Sequence, residues 1–117
     1  MLPSNITVFG DIMDPRDIAD YEIKATNYLE EGEGVASYSI TLLSEALLGG
    51  LELGVGAYAH SEANGIISLW FNIDELMQSD ASFYGGGVTL PLEVEITTDS
   101  VPPRRRQRTF GVKVQQQ

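Results

Sequence analysis

Few groups in this chain have residue types and spacings that could do chemistry. Asp11, Asp14, Asp17 and Asp20 recur at every third position and raise the question of a calcium loop. Such a loop needs oxygens at alternate positions, a central glycine and a terminal glutamate, and that register is missing, so the segment reads as a turn-rich acidic linker. His60 and Glu62 could share an ion, but the chain has no second imidazole and an ordinary surface histidine is the expectation. Glu93 and Glu95 lie two positions apart, a spacing that can bring two acids together for glycoside hydrolysis and that is equally common on a solvated strand face. Gly85-Gly86-Gly87 offers backbone for a phosphate cradle, yet no P-loop lysine follows it. The pattern as a whole predicts a protein that is not an enzyme and carries no cofactor and no metal.

Chemistry of contact has better candidates. Arg104, Arg105, Arg106 and Arg108 crowd one turn, whereas Arg16 and Lys24 are the cations among residues 1–103. The chain is thus an acidic body, net charge −10, with one basic tip that suits docking onto carboxylates of a neighbour; a solvated turn is the plainer alternative. Trp70, Phe83 and Tyr84 are the candidate apolar anchors, because aromatics dominate interface hot spots; a Trp70 buried beneath a loop is the alternative. Tyr58, Tyr84 and Trp70 could instead stack on sugar rings in a carbohydrate-binding or adhesion module.

The charge argues against nucleic-acid binding, which needs a cationic surface. No apolar run is long enough to span a membrane, and no secretory signal is evident, so the expectation is synthesis in a cytoplasm without membrane association. Asn5-Ile6-Thr7 matches a glycosylation sequon that, in such a setting, carries no meaning. A chain of 117 residues without cysteine fits a single domain held by one core, with residues 1–5 and 115–117 as loose ends.

The elements that must position these residues are strands. Val88, Leu90, Leu92, Val94 and Ile96 alternate with polar residues, and Pro91 restricts that strand to a sheet edge or a bulge. A second alternating run follows from Arg106 to Val114. Ile66 to Ile73 is apolar on both faces and reads as a central strand or one that meets a partner. Ile6 to Phe9 is a short, possible edge strand. Tyr21, Ile23 and Ala25, extended by Tyr28 and Leu29, turn through Glu30 to Gly34 into Ala36, Tyr38, Ile40 and Leu42, which predicts a hairpin. Leu42 to Leu48 predicts a helical turn before a short run from Leu51 to Val55, and Glu75 to Met77 predicts another turn. About seven short strands spaced by Gly, Pro and Asp turns predict an all-β, immunoglobulin-like antiparallel β-sandwich, with a closed barrel as the alternative.

Asp14-Pro15-Arg16-Asp17-Ile18-Ala19-Asp20-Tyr21, a strand and glycine turn, then Gly85-Gly86-Gly87, Ile96-Thr97-Thr98, a basic turn with Arg108, and Val112-Lys113-Val114 follow in one order. That order resembles the small virion proteins of tailed bacteriophages of the fiber-tail adaptor or neck-region type. Lys24-Ala25 replaces the Asp-Trp often found in that group, and Val101-Pro102-Pro103 replaces a glycine in the last turn. The resemblance implies a virion component made in the host cytoplasm, an oligomeric adaptor whose partners are other phage structural proteins; head decoration is the alternative position.

Overall fold

Alternation decides which side of each strand is buried, because successive side chains point to opposite faces. In the computed structural model, which describes residues 6–117, the strands are β1 (Ile6–Val8), β2 (Ile18–Lys24), β3 (Val35–Leu42), β4 (Leu51–Leu53), β5 (Ser61–Ala63), β6 (Ile66–Ile73), β7 (Val88–Thr98) and β8 (Arg105–Val114). One short helix, α1 (Ser44–Leu48), follows β3. Residues 1–5, expected to form a loose end and including Asn5 of the sequon, lie outside the described residues.

Two sheets pack face to face. The first has the order β1-β8-β7-β3 and the second β2-β6-β4, with β5 also pairing with β6. Ile67, Leu69, Phe71 and Ile73 of β6 meet Leu90, Leu92, Val94 and Ile96 of β7 in the core, joined by Tyr21, Ile23, Phe110, Val112 and Val114. Each such side chain contributes about 1.5–3 kcal/mol by leaving water. The expected all-β sandwich is therefore the observed architecture, with eight strands among the described residues. The grouping β3, β7, β8 against β2, β6, β4 is the immunoglobulin arrangement of third, sixth and seventh strands against second, fifth and fourth. The strands pair antiparallel except β1 with β8, which is parallel, as is the bridge from Met13 to Val114.

Four expectations need correction. The segments on either side of Glu30–Gly34 do not form a hairpin: β2 pairs with β6 and β3 with β7, so the turn carries the chain from one sheet to the other. Between them Ala25–Tyr28 is a single 3-10 turn, not an extension of β2. Alternation reports which face is buried and is silent about the neighbour, and a crossing between sheets preserves it. Ala36 is exposed and not inward, because a bulge between Val35 and Ser37 shifts the register there.

Pro91 is the fourth. Its strand is central, between β8 and β3, and the register runs through Pro91 opposite Gly111 without a shift. The Leu43 N–H donates to the Pro91 carbonyl at 3.1 Å, so the missing proline N–H faces Leu43 as well. The Leu43 carbonyl is already taken: it accepts from the Leu47 N–H at 3.0 Å and opens α1. Proline thus sits where the neighbouring strand leaves the sheet and no ladder bond is lost.

The C-terminal glutamines make hydrogen bonds to the body of the domain. The Gln115 N–H donates to the Met13 carbonyl at 2.9 Å, the Gln116 N–H to the Phe83 carbonyl at 2.7 Å and the Gln117 N–H to an Asp14 carboxylate oxygen at 2.8 Å.

Candidate functional site

The outer face of the second sheet carries the most distinctive surface. With Leu69 and Phe71 turned to the core, Trp70 must point outward from the central strand β6, and it is half-buried there. What covers its other half is the 54–58 turn. The Gly54 N–H donates to the Trp70 carbonyl at 2.8 Å, and a Cβ on Gly54 would lie 2.4 Å from the Tyr58 carbonyl oxygen, so only glycine allows the turn to seat this closely. Tyr58 then meets Trp70 edge-on, with ring centroids 5.1 Å apart and planes at 60°. Such pairs add about 0.5–1.5 kcal/mol beyond their burial and fix the ring positions.

Around this pair the sheet places polar and apolar groups in register. Asp20 of β2 lies opposite Trp70, and Ile18 opposite Asn72. The Asn72 side-chain amide donates to Glu52 at 2.7 Å, which orients both groups. Ile18, 54% exposed, and Val55, 79% exposed, border a shallow depression of about 360 Å³ completed by Glu52, Leu53, Gly54, Tyr58 and Asn72. Glu22 lies on the same face as Asp20, and Lys24 is the one cation of β2, so the face is acidic. It offers an aromatic anchor, an apolar rim and fixed carboxylate and amide acceptors.

Of the predicted anchors, Phe83 is corrected. It is fully buried, packed in the core beneath the 81–83 turn, whose start is capped by Asp80 accepting from the Ser82 N–H. A side chain without exposed surface cannot anchor a partner. Tyr84, beside it in sequence, is 55% exposed and donates its hydroxyl to the Ser79 carbonyl. The structure therefore brings Trp70 together with Tyr58 and not with Phe83 or Tyr84.

The arginine turn is present as a basic cluster, but much of its charge is met within the chain. Arg104 reaches Glu30 at 2.6 Å and Glu33 at 3.7 Å, Arg106 lies 4.0 Å from Glu30, and Arg105 lies 3.5 Å from Glu95. Arg108 lies over the Tyr28 ring, 5.1 Å from its centroid, and donates to the Gln107 carbonyl. Glu33 is held below the ordinary glutamate value chiefly by the Glu30 N–H, with Ser100, Arg104 and Thr98 adding to it against the opposing effect of burial. Surface pairs of this kind contribute about 0–1 kcal/mol each and exchange partners readily. Beyond them, Val101 is 98% exposed at the tip of the loop.

The other candidates have structural partners. The Tyr38 hydroxyl and His60 Nδ1 are 2.7 Å apart, linking the two sheets at one flank. Glu93 accepts from the Gln107 amide across the strand pair. Asp14 accepts from the Arg16 and Gln117 N–H groups, which lower its pKa, so its oxygens close a turn. Among the described residues no group of three or more His, Cys, Asp or Glu is placed to hold a metal ion. Among the described residues no helix is long and apolar enough to cross a membrane.

Sequence reasoning singled out Trp70 and gave burial beneath a loop as its alternative setting, which the 54–58 turn meets in part. Asn72 lies two positions along the same strand and bonds Glu52, whereas Asp20, Glu52 and Tyr58 arrive from three other segments that only the sheet register joins. No known family model matches the chain, and no curated protein is significantly similar to it.

Proposed function

We propose that this protein is a non-enzymatic structural component of a tailed-phage particle, an adaptor that works by contact between neck or tail parts and fibers, with other phage structural proteins as partners. The observation that carries the contact role is the Tyr58–Trp70 pair at the centre of an acidic, open sheet face. Rigid aromatics concentrate binding energy in protein interfaces, and the flanking Asp20, Glu22 and Glu52 select a basic partner surface and steer its approach. The order of sequence segments that resembles virion adaptor proteins supplies the particle, and the immunoglobulin-like strand order is compatible with it. Head decoration is the other position in which the same contact role would serve.

The test uses side chains whose loss leaves the core intact. Tyr58→Ala combined with Val55→Lys removes the ring that braces Trp70 and puts a charge on the apolar rim, at two exposed positions. The purified variant should keep its circular dichroism spectrum while its copy number in purified particles falls by about tenfold or more, the equivalent of about 1.4 kcal/mol. Normal incorporation would remove this face from the contact. A second reading, a carbohydrate-binding module, is favoured by one feature: a tryptophan beside oriented carboxylate and amide groups. Glycan-array binding lost in Tyr58→Ala, together with unchanged incorporation, would move the assignment to that class.

A further inference from the structure

The sandwich has four strands at or near its sheet edges besides β3, and each of them is blunted. β1, β4 and β5 have three residues apiece, and β2 carries Asp20, Glu22 and Lys24 on its outer face. Short or charged edges resist pairing with another chain. β3 is different: Val35-Ala36-Ser37-Tyr38-Ser39-Ile40-Thr41-Leu42 is eight residues long, without charge and without proline, at the end of the first sheet.

The register shows which of its backbone groups are unused. Leu43 and Pro91 are a hydrogen-bonded pair, so Thr41, Ser39 and Ser37 also turn their N–H and C=O toward β7. Tyr38, Ile40 and Leu42 turn theirs outward, and among the described residues no backbone bond takes them up. The side chains of the same three residues are half-buried against the core and uncovered at the flank, where His60 touches Tyr38. The opposite flank, by contrast, is closed by Phe9 stacked on Tyr21 at 4.7 Å and by the Tyr21 hydroxyl donating to the Asp11 carbonyl.

We propose that β3 is a homodimerisation edge, pairing antiparallel with β3 of a second copy about a two-fold axis at Ile40. That register sets Ile40 against its own mate and Tyr38 against Leu42 of the partner, and forms up to about six new hydrogen bonds. Charge decides in favour of a second copy. In a chain with 17 acidic residues, β3 is the long edge whose own residues carry no carboxylate. The nearest acids in the sheet, Glu93 and Glu95, lie on β7; across β7-β3-β3-β7 the two sets stand about 14 Å apart. That exceeds the screening length of about 8 Å at physiological salt. The pairing would fuse the first sheets of the two copies and cover Tyr38, Ile40 and Leu42 with their counterparts. It stands independently of the phage reading.

Because the chain has no cysteine, Ile40→Cys places one thiol per copy at the two-fold axis, where paired Cα atoms lie about 5.5 Å apart, within disulfide reach. Mild oxidation should yield a covalent dimer, while Glu22→Cys on the opposite edge stays largely monomeric. Sedimentation velocity over a concentration series should show the unmodified protein passing from monomer to dimer, with the Tyr38, Ile40 and Leu42 amides gaining hydrogen-exchange protection. Ser39→Lys, at an exposed position, should weaken the dimer at least tenfold without unfolding the domain. A protein monomeric at every concentration overturns the proposal, and protection of these amides only in particles would then assign the edge to a strand of another protein. A dimer unaffected by Ser39→Lys, with no Ile40→Cys disulfide, overturns it as well.

Discussion

Tyr21 shows how one residue can join the core, the acidic surface and pH. Its ring is buried against Phe9 and Phe71, while its hydroxyl lies beside the acidic 11–20 segment. Burial, then the negative fields of Asp11, Asp17 and Asp20, push its pKa from 10.0 up to about 12. Both causes disfavour the phenolate. The folded state therefore holds its proton more tightly than the unfolded state, and the associated stability is present in full below pH 10 and lost as the pH rises toward 12. In an ultraviolet titration a tyrosine step should appear near pH 12, and Tyr21→Phe should remove it. The same variant should flatten the decline in urea-unfolding stability over this alkaline window. A Tyr21 that ionises at the ordinary value of 10.0 would mean that its hydroxyl faces open water. The acid limb has the opposite sign: Asp14, Glu33 and Asp80 are lowered by their hydrogen bonds, so the stability they add is present above the ordinary carboxylate range and is lost as the pH falls through their folded values.

Elements were legible where local signals were sufficient. Gly85-Gly86-Gly87 and the alternation after it gave β7 its bounds, and the apolar run of β6 gave the centre of the second sheet. β5 was not recognised, although its marker was present: Asn64-Gly65, the strongest short hairpin signal, joins Ala63 to Ile66 with both turn residues at positive φ, 54° and 81°. Ser-Glu-Ala has no alternation to read, so the turn was the only evidence for the strand. Gly65 is also where a side chain has no room, since a Cβ there would approach Thr26 Cγ2 to 2.6 Å. Gly65→Ala should lower stability by about 1–2 kcal/mol, from the left-handed backbone and this contact together, as measured by urea unfolding, whereas Asn64→Gly should be close to neutral. Partner choice was the part that alternation could not encode. The false hairpin between β2 and β3 came from reading neighbours in sequence as neighbours in space, and the edge or bulge expected at Pro91 from counting its missing N–H as a lost ladder bond, although the carbonyl it would have met already accepts from Leu47. The candidate site suffered most from this limit, because Trp70, Tyr58, Asp20 and Glu52 come from four segments. The arginine cluster was visible at once because it is contiguous.

At the scale of the whole molecule the question is which electrostatic effect dominates, self-repulsion or pairing. Asp and Glu number 17 against 7 Lys and Arg, and the net charge of −10 resists the compact state. Against this stand the exposed pairs around Arg104, Arg105 and Arg106, each contributing about 0–1 kcal/mol. Salt weakens both, but not equally. The ion pairs are short and local, whereas the repulsion sums over an acidic surface 48 Å in its longest extent, far beyond the screening length of about 8 Å at physiological salt. Raising the salt from low to physiological concentration should therefore raise the thermal midpoint by about 4 °C for each kcal/mol of repulsion relieved. Neutralising the arginine turn with Arg104→Gln and Arg106→Gln should enlarge that rise, because the variant is more acidic and has fewer pairs to lose. A midpoint that falls with salt in the unmodified protein, read by calorimetry at fixed protein concentration, would place the dominant electrostatics in the arginine turn. Screening should also strengthen any pairing of two acidic copies, so the salt dependence has to be measured at concentrations where sedimentation finds the monomer. A rise confined to higher protein concentration would belong to association and not to the fold.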